Sequence, residues 1–236
     1  VDATERTVVE GAVAAADAGI IEPTFVGPLD QVRAAIAQVP GAEVHPVLDA
    51  ADDADAGRRA VDVVVEGAAD VLCKGHLHTD VFLHPVLKRL RTPRRLSHVF
   101  LVEMDAYPKL LGVTDATINI FPNLEQKIEI TRNAVELAHL FGIGRPEVAV
   151  ETVTVDIPST IDGASLAVMG AREQIPDAVI DGPLAFDDAI SAEASAVKGI
   201  ESAVAGDIDV AVVPDLTSGN ILVKALEYLA GATVAG

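Results

Sequence analysis

Short apolar runs alternate along this chain with longer segments in which apolar positions recur at helical spacing. The residues after Asp2 and Glu5, a cap-like pair, predict a helix to about residue 18. A strand is expected over 23–26, a turn at Gly27 and Pro28, a helix to about 39, a strand over 43–48 and a helix over 53–67. Residues 71–73 are expected as a buried strand, 80–90 as a helix and 97–102 as a strand. The rhythm then changes spacing, with strands over 112–116, 148–150, 178–180 and 208–213. Helices fall between them over 123–141, 159–169 and 189–197, and a last one over 219–230. Short apolar strands separated by helix-length segments mean βαβ units and a mostly parallel sheet. The expectation is an α/β fold of two lobes, 1–110 and 111–236, each a parallel-rich sheet with flanking helices, with a cleft between them. The pattern opens on a helix where a strand should lead, and LAGATVAG at the other end reads as a helix end and a turn. Both ends are therefore expected to continue in the parent protein.

Composition narrows the function. Half of the 236 residues are hydrophobic, only 3% are aromatic, and Trp is absent. The net charge of −19, from 36 acids and 17 bases, repels nucleic acid and anionic membrane and excludes both as partners. No apolar run approaches the ~18 residues of a membrane span. The lone Cys73 sits in the expected buried strand, so an inert core thiol is anticipated, and a cytoplasmic location with it. Against the acidic background, Lys88, Arg89, Arg91, Arg94 and Arg95 crowd into one stretch. Two roles suit it: complementing a helix C-terminus, or contacting an anion.

Four loops fall where an open α/β sheet places its ligands, at strand C-terminal ends. Residues 73–79 set Lys74 between an apolar strand and a helix start, an arrangement that can hold phosphate with an ammonium and helix amides. Residues 114–119 carry Thr114, Asp115 and Asn119 along a strand exit, and Asp181 opens the tight turn 181–187. Asp215, Asn220 and Lys224 belong to the turn and first turns of the final helix. Each such loop alone also serves as a capped turn. No His-Glu-x-x-His, Gly-x-Ser-x-Gly elbow or complete Gly-x-Gly-x-x-Gly occurs, and the histidines lack a ligand frame, so no metal and no cofactor are expected.

KGHLHT, RRLSHVFL, VTDATINIFPNLEQK, ETVTVDIPSTIDGASL, DGPLAFDDAIS and AGDIDVAVVPDLTSGNILVKAL, in this order, resemble the phosphate acetyltransferase and phosphate butyryltransferase family. The resemblance covers nearly the whole chain, with a few residues fewer than the usual pattern between Val150 and Glu151. It implies the reaction acyl-CoA plus phosphate giving acyl phosphate plus CoA, with coenzyme A as substrate rather than cofactor. It also implies a fold like isocitrate and isopropylmalate dehydrogenases, and a homodimer. The family's Ser-Arg pair and acidic residue would follow Gly236. Lys74 and Arg95 would neutralise phosphate groups, Thr79, Ser97 and Asn119 would donate hydrogen bonds, and Asp115 and Asp215 would orient the donors. His98 is the candidate proton donor to the leaving thiolate, with a structural hydrogen bond as the alternative. Two rivals remain at this point: an inactive CoA-binding regulatory domain, and a metal- and NAD-dependent dehydrogenase of the same general fold.

Overall fold

A computed structural model describes residues 1–153 and 156–236. It divides into two compact units, Val1–Pro93 and Arg94–Gly236. This division precedes the expected boundary at 110/111, because the strand near residue 100 pairs within the second unit.

In the first unit, α1 (Arg6–Asp17), α2 (Leu29–Ile36), α3 (Asp53–Val65) and α4 (Thr79–Arg89) accompany two short parallel strands, β1 (Phe25–Gly27) and β2 (Val47–Asp49). Val9, Val13, Phe25, Val32 and Ala35 form its main core. The expected cap at Asp2 moves to Glu5, which makes no side-chain capping bond. The expected strand over 43–48 starts as a 3-10 turn, Ala42–Val44, and becomes β2 only at Val47. Asp52 caps α3 by accepting from the Asp55 amide at 2.8 Å.

The residues at 71–73 form no strand. Val71 is 78% exposed and Cys73 is exposed, so the buried-strand and core-thiol expectations both fail. Only Leu72 of the run packs inward, against Val26, Ala50, Ala56 and Ala60. Apolar side chains favour burial, yet the tertiary fold decides which of them find a covering layer. The chain just after this run is pinned by its backbone: Gly75 N donates to Val1 O at 2.8 Å and His76 N to Asp2 O at 3.1 Å. A Cβ at Gly75 would collide with the Val1 and Asp2 carbonyl oxygens, so the close approach needs glycine.

The second unit is built on a mixed sheet of six strands. Its strands are β3 (Phe100–Met104), β4 (Tyr107–Thr114), β5 (Glu147–Glu151), β6 (Val179–Leu184), β7 (Val210–Val212) and β8 (Thr233–Ala235), in the order β6-β5-β7-β4-β3-β8. The first four in that order run parallel, while β3 is antiparallel to both β4 and β8. Residues expected only as a helix end and turn thus form β8, with Val234 opposite Val102. Three residues suffice for a strand when a neighbouring edge accepts them, and no periodicity announces so short an element.

Alternation along the strands separates two cores. Val148, Val150, Val210 and Val212 face α5 (Leu124–Leu140) and α6 (Pro158–Ala171). Ala149, Ala211 and Val113 face the opposite way, toward α7 (Phe186–Ile190) and α9 (Leu216–Leu229); α8 (Ala192–Lys198) follows α7. Asn123 and Gln126 close a reciprocal capping box at the start of α5. The expected helix over 189–197 is broken into α7 and α8 at Ser191, whose side chain caps α8. Thr154 and Val155, inside the ETVTVDIPSTIDGASL motif, lie outside the described residues.

Candidate active site

The four parallel strands of the second unit end on one edge, and β3 begins there. β4 and β7 are neighbours on this edge, yet the helices that follow them pack on opposite faces, α5 with one core and α9 with the other. That is a topological switch point, the position outside strand ends where open α/β sheets bind ligands. Gly219, in the first turn of α9, makes the crossing tight: a Cβ there would meet Val213 Cγ2 at 2.6 Å and Ala116 Cβ at 2.8 Å.

Asp115 organises the loop after β4. Its Oδ1 accepts from the Thr117 and Ile118 amides, both at 2.9 Å, and its Oδ2 from the Asn119 amide at 3.3 Å and Asn119 Nδ2 at 2.5 Å. Such an Asx-type turn satisfies a buried carboxylate entirely with N–H donors. Asn119 then reaches back to the chain entering β3. Its Nδ2 also donates to Leu96 O at 3.0 Å, and its Oδ1 accepts from Arg95 Nη1 at 2.9 Å. Both amide hydrogens are occupied, so Asn119 orients Arg95 and has no donor left for a substrate, which corrects the donor role expected of it.

Arg95 is half-buried, and among the described residues no carboxylate lies within ion-pairing distance of it. Its neighbour Arg94 meets Glu136 at 2.6 Å. Successive residues of an extended chain point opposite ways, so one guanidinium is spent on a surface pair and the other faces the loop.

Ser97 Oγ accepts from Asn133 Nδ2 at 2.8 Å, and its own O–H meets no acceptor among the described residues. Thr114 Oγ1 donates to His98 O at 2.8 Å, tying the end of β4 to the start of β3. The His98 ring lies 3.4 Å from Thr117 Oγ1 and edge-on to Phe100. Burial pushes its pKa below the ordinary histidine value, against the opposing pull of Asp115 and of a hydrogen bond with the Gly236 backbone. At neutral pH the imidazole is therefore uncharged, which favours the structural alternative over proton donation to a thiolate.

Among the described residues, the other expected side chains of the second unit make no hydrogen bond to this network. Asp181 lies inside β6, opposite Ala149, with Oδ1 accepting from the Gly182 amide; the strand continues to Leu184 where a turn was expected. Three strand spacings, about 14 Å, separate β6 from β4. Asp215 caps α9 by accepting from Ser218 N and Ser218 Oγ, both at 2.9 Å. Asn220 is exposed, and Lys224 pairs with Glu227 at 2.7 Å beneath the Tyr228 ring. In the first unit, Thr79 opens α4 and is exposed, and the exposed Lys74 Nζ donates to the adjacent Gly75 O at 3.2 Å.

Two residues carry polar chemistry that the sequence did not single out. Asn133, on α5, touches Arg94, Arg95 and Ser97. Glu151, ending β5, is 5% exposed, and its Oε1 has no hydrogen-bond partner among the described residues. Burial, reinforced by Asp187 and Asp188, pushes its carboxyl up to about 8. Its placement at the end of the apolar run EVAVE was the available signal. Among the described residues no three His, Cys, Asp or Glu side chains converge as a metal cage.

Comparison with known proteins gives a consistent result. Residues 41–236 match the family described as phosphate acetyl/butaryl transferase. A phosphate acetyltransferase of Rhizobium meliloti is 44% identical over 240 residues, covering 98% of this chain and 76% of the relative. A phosphate butyryltransferase of Clostridium acetobutylicum is 37% identical over 96% of this chain and 78% of its own length. Among solved structures, a branched-chain phosphotransacylase from Enterococcus faecalis superposes with a TM-score of 0.85 at 26% identity, over 99% of this chain and 84% of that one.

Proposed function

The chain belongs to the phosphate acetyl/butaryl transferase family, and we propose that it transfers a short acyl group between coenzyme A and inorganic phosphate, with the Arg95 network as its phosphate-holding part. A phosphate oxygen attacks the thioester carbonyl carbon, a C–O bond to phosphate forms, and the C–S bond breaks. The sulfur leaves with the electron pair and takes up a proton. The reaction joins two anions, so the protein must neutralise charge and fix geometry.

The observation that carries this reading is Arg95: a half-buried guanidinium held by a neutral amide in a chain of net charge −19, with no acidic partner among the described residues. A carboxylate there would compete with phosphate, whereas an amide aims the fork and leaves its charge available. Ser97 contributes to the same group a hydroxyl hydrogen that has no acceptor among the described residues. Asp115 holds Asn119 and thereby Arg95. Lys74 and Thr79 are proposed as further contacts to phosphate groups, and Asp215 as a residue that orients a substrate-contacting turn. A homodimer and a cytoplasmic location belong to the same proposal.

Phosphate-dependent release of free thiol from acetyl-CoA and butyryl-CoA by the full-length protein tests it. Release that requires phosphate is expected; coenzyme A binding with no release from either thioester would favour a regulatory domain instead.

A further inference from the structure

The segment that carries Arg95 and Ser97 forms neither helix nor strand, so something outside it must hold it still. We propose that Asn133 of α5 is the positioning residue that fixes Arg95 and Ser97 for phosphate, an inference that rests on the acyl-transfer reading above.

Three bonds from one side chain reach three residues of that segment. Asn133 Nδ2 donates to Arg95 O and to Ser97 Oγ, each at 2.8 Å, and Oδ1 accepts from Arg94 Nη2 at 2.8 Å. The surroundings settle the amide orientation, because two acceptors face the nitrogen and a donor faces the oxygen. Glu136, one turn further along the same helix, takes Arg94 Nη1. By holding Arg94 outward, α5 turns the next residue, Arg95, toward Asn119.

The helix is a firm base. Its first turn is closed by the capping box, and Ala134, Val135 and Ala138, beside Asn133, are buried in the sheet core. Asn119 holds the same segment through Leu96 O and Arg95 Nη1. The phosphate-facing groups thus sit between two amides, one on a rigid helix and one on the Asp115 turn. Geometry held by neighbours in this way is what makes a binding group effective.

The test compares wild type, Asn133→Ala and Asn133→Asp in the full-length protein. Aspartate preserves the shape and the acceptor for Arg94 but offers no hydrogen to Arg95 O or Ser97 Oγ, so it separates the donor role from simple packing. Both variants are expected to raise KM for phosphate about tenfold while KM for acyl-CoA stays within about twofold. The aspartate variant is expected to stay folded with a lowered unfolding midpoint, since its carboxylate oxygen now faces the Arg95 carbonyl. Unchanged phosphate KM in a folded aspartate variant, or equal rises for both substrates, would overturn the inference while leaving acyl transfer standing. A wild type that releases no thiol in the presence of phosphate would remove both.

Discussion

Lys74 and Arg95 are both cations placed shortly before an ordered element, and the chain treats them differently. Lys74 is exposed in the first unit and, among the described residues, bonds only to the carbonyl of the next residue. Arg95 in the second unit bonds to Asn119, a residue 24 positions away, which is in turn fixed by Asp115. The backbone around Lys74 is ordered through Gly75 and His76, so it is the side chain, not the loop, that lacks support. A long flexible ammonium loses rotamer entropy when it binds a ligand, whereas a braced guanidinium has already lost it on folding. Cations of the same sign, both plausible as anion ligands from the sequence, therefore differ in how much of the binding cost folding has already met.

The largest effect should come from removing the centre of the braced region. Asp115→Asn keeps the shape but sets an amide nitrogen against N–H donors that now meet a carboxylate. It is expected to cost about 2 kcal/mol of stability in urea unfolding. It should also lower kcat/KM for phosphate about a hundredfold. Wild-type kinetics in this variant would show that the turn does not support the site.

Glu151 gives the next effect, and it depends on pH. The folded chain keeps this carboxyl protonated up to about pH 8, while the unfolded chain ionises it near the ordinary value of 4.5. Between those values the unfolded state holds fewer protons, so stability falls as pH rises through the window. Glu151→Gln removes the group, and should flatten the decline between pH 5 and pH 7.5 by on the order of 2 kcal/mol. Parallel denaturation curves for the two proteins would place the carboxyl in an ordinary, solvated state.

Lys74→Ala should be the mildest. An exposed side chain bonded to its own neighbour contributes little to the fold, so the unfolding midpoint should not move. KM for phosphate is expected to rise about fivefold, and unchanged kinetics would take Lys74 out of the site.

Much of this contrast follows from sequence patterns that differ in physical range. The β5 and β7 strands and the Asp115 to Asn119 loop rest on local rules, hydrogen bonds within a turn and apolar alternation, and the structure has them near the expected positions. What the pattern misplaced depends on partners far along the chain. β8 exists because β3 offers an edge. Val71 and Cys73 are exposed because none of the described elements covers them, although their neighbours in sequence look like a core strand. Asn133 reads as an ordinary helix residue until residues 94–97 come to rest beside it.

Steady-state kinetics of thiol release as a function of phosphate, with wild type and Arg95→Ala assayed side by side, probe the phosphate site itself. The Arg95 assignment predicts a rise in phosphate KM of about a hundredfold in the variant, with KM for acyl-CoA little changed. A variant that saturates at the same phosphate concentration as wild type would contradict it and place phosphate elsewhere.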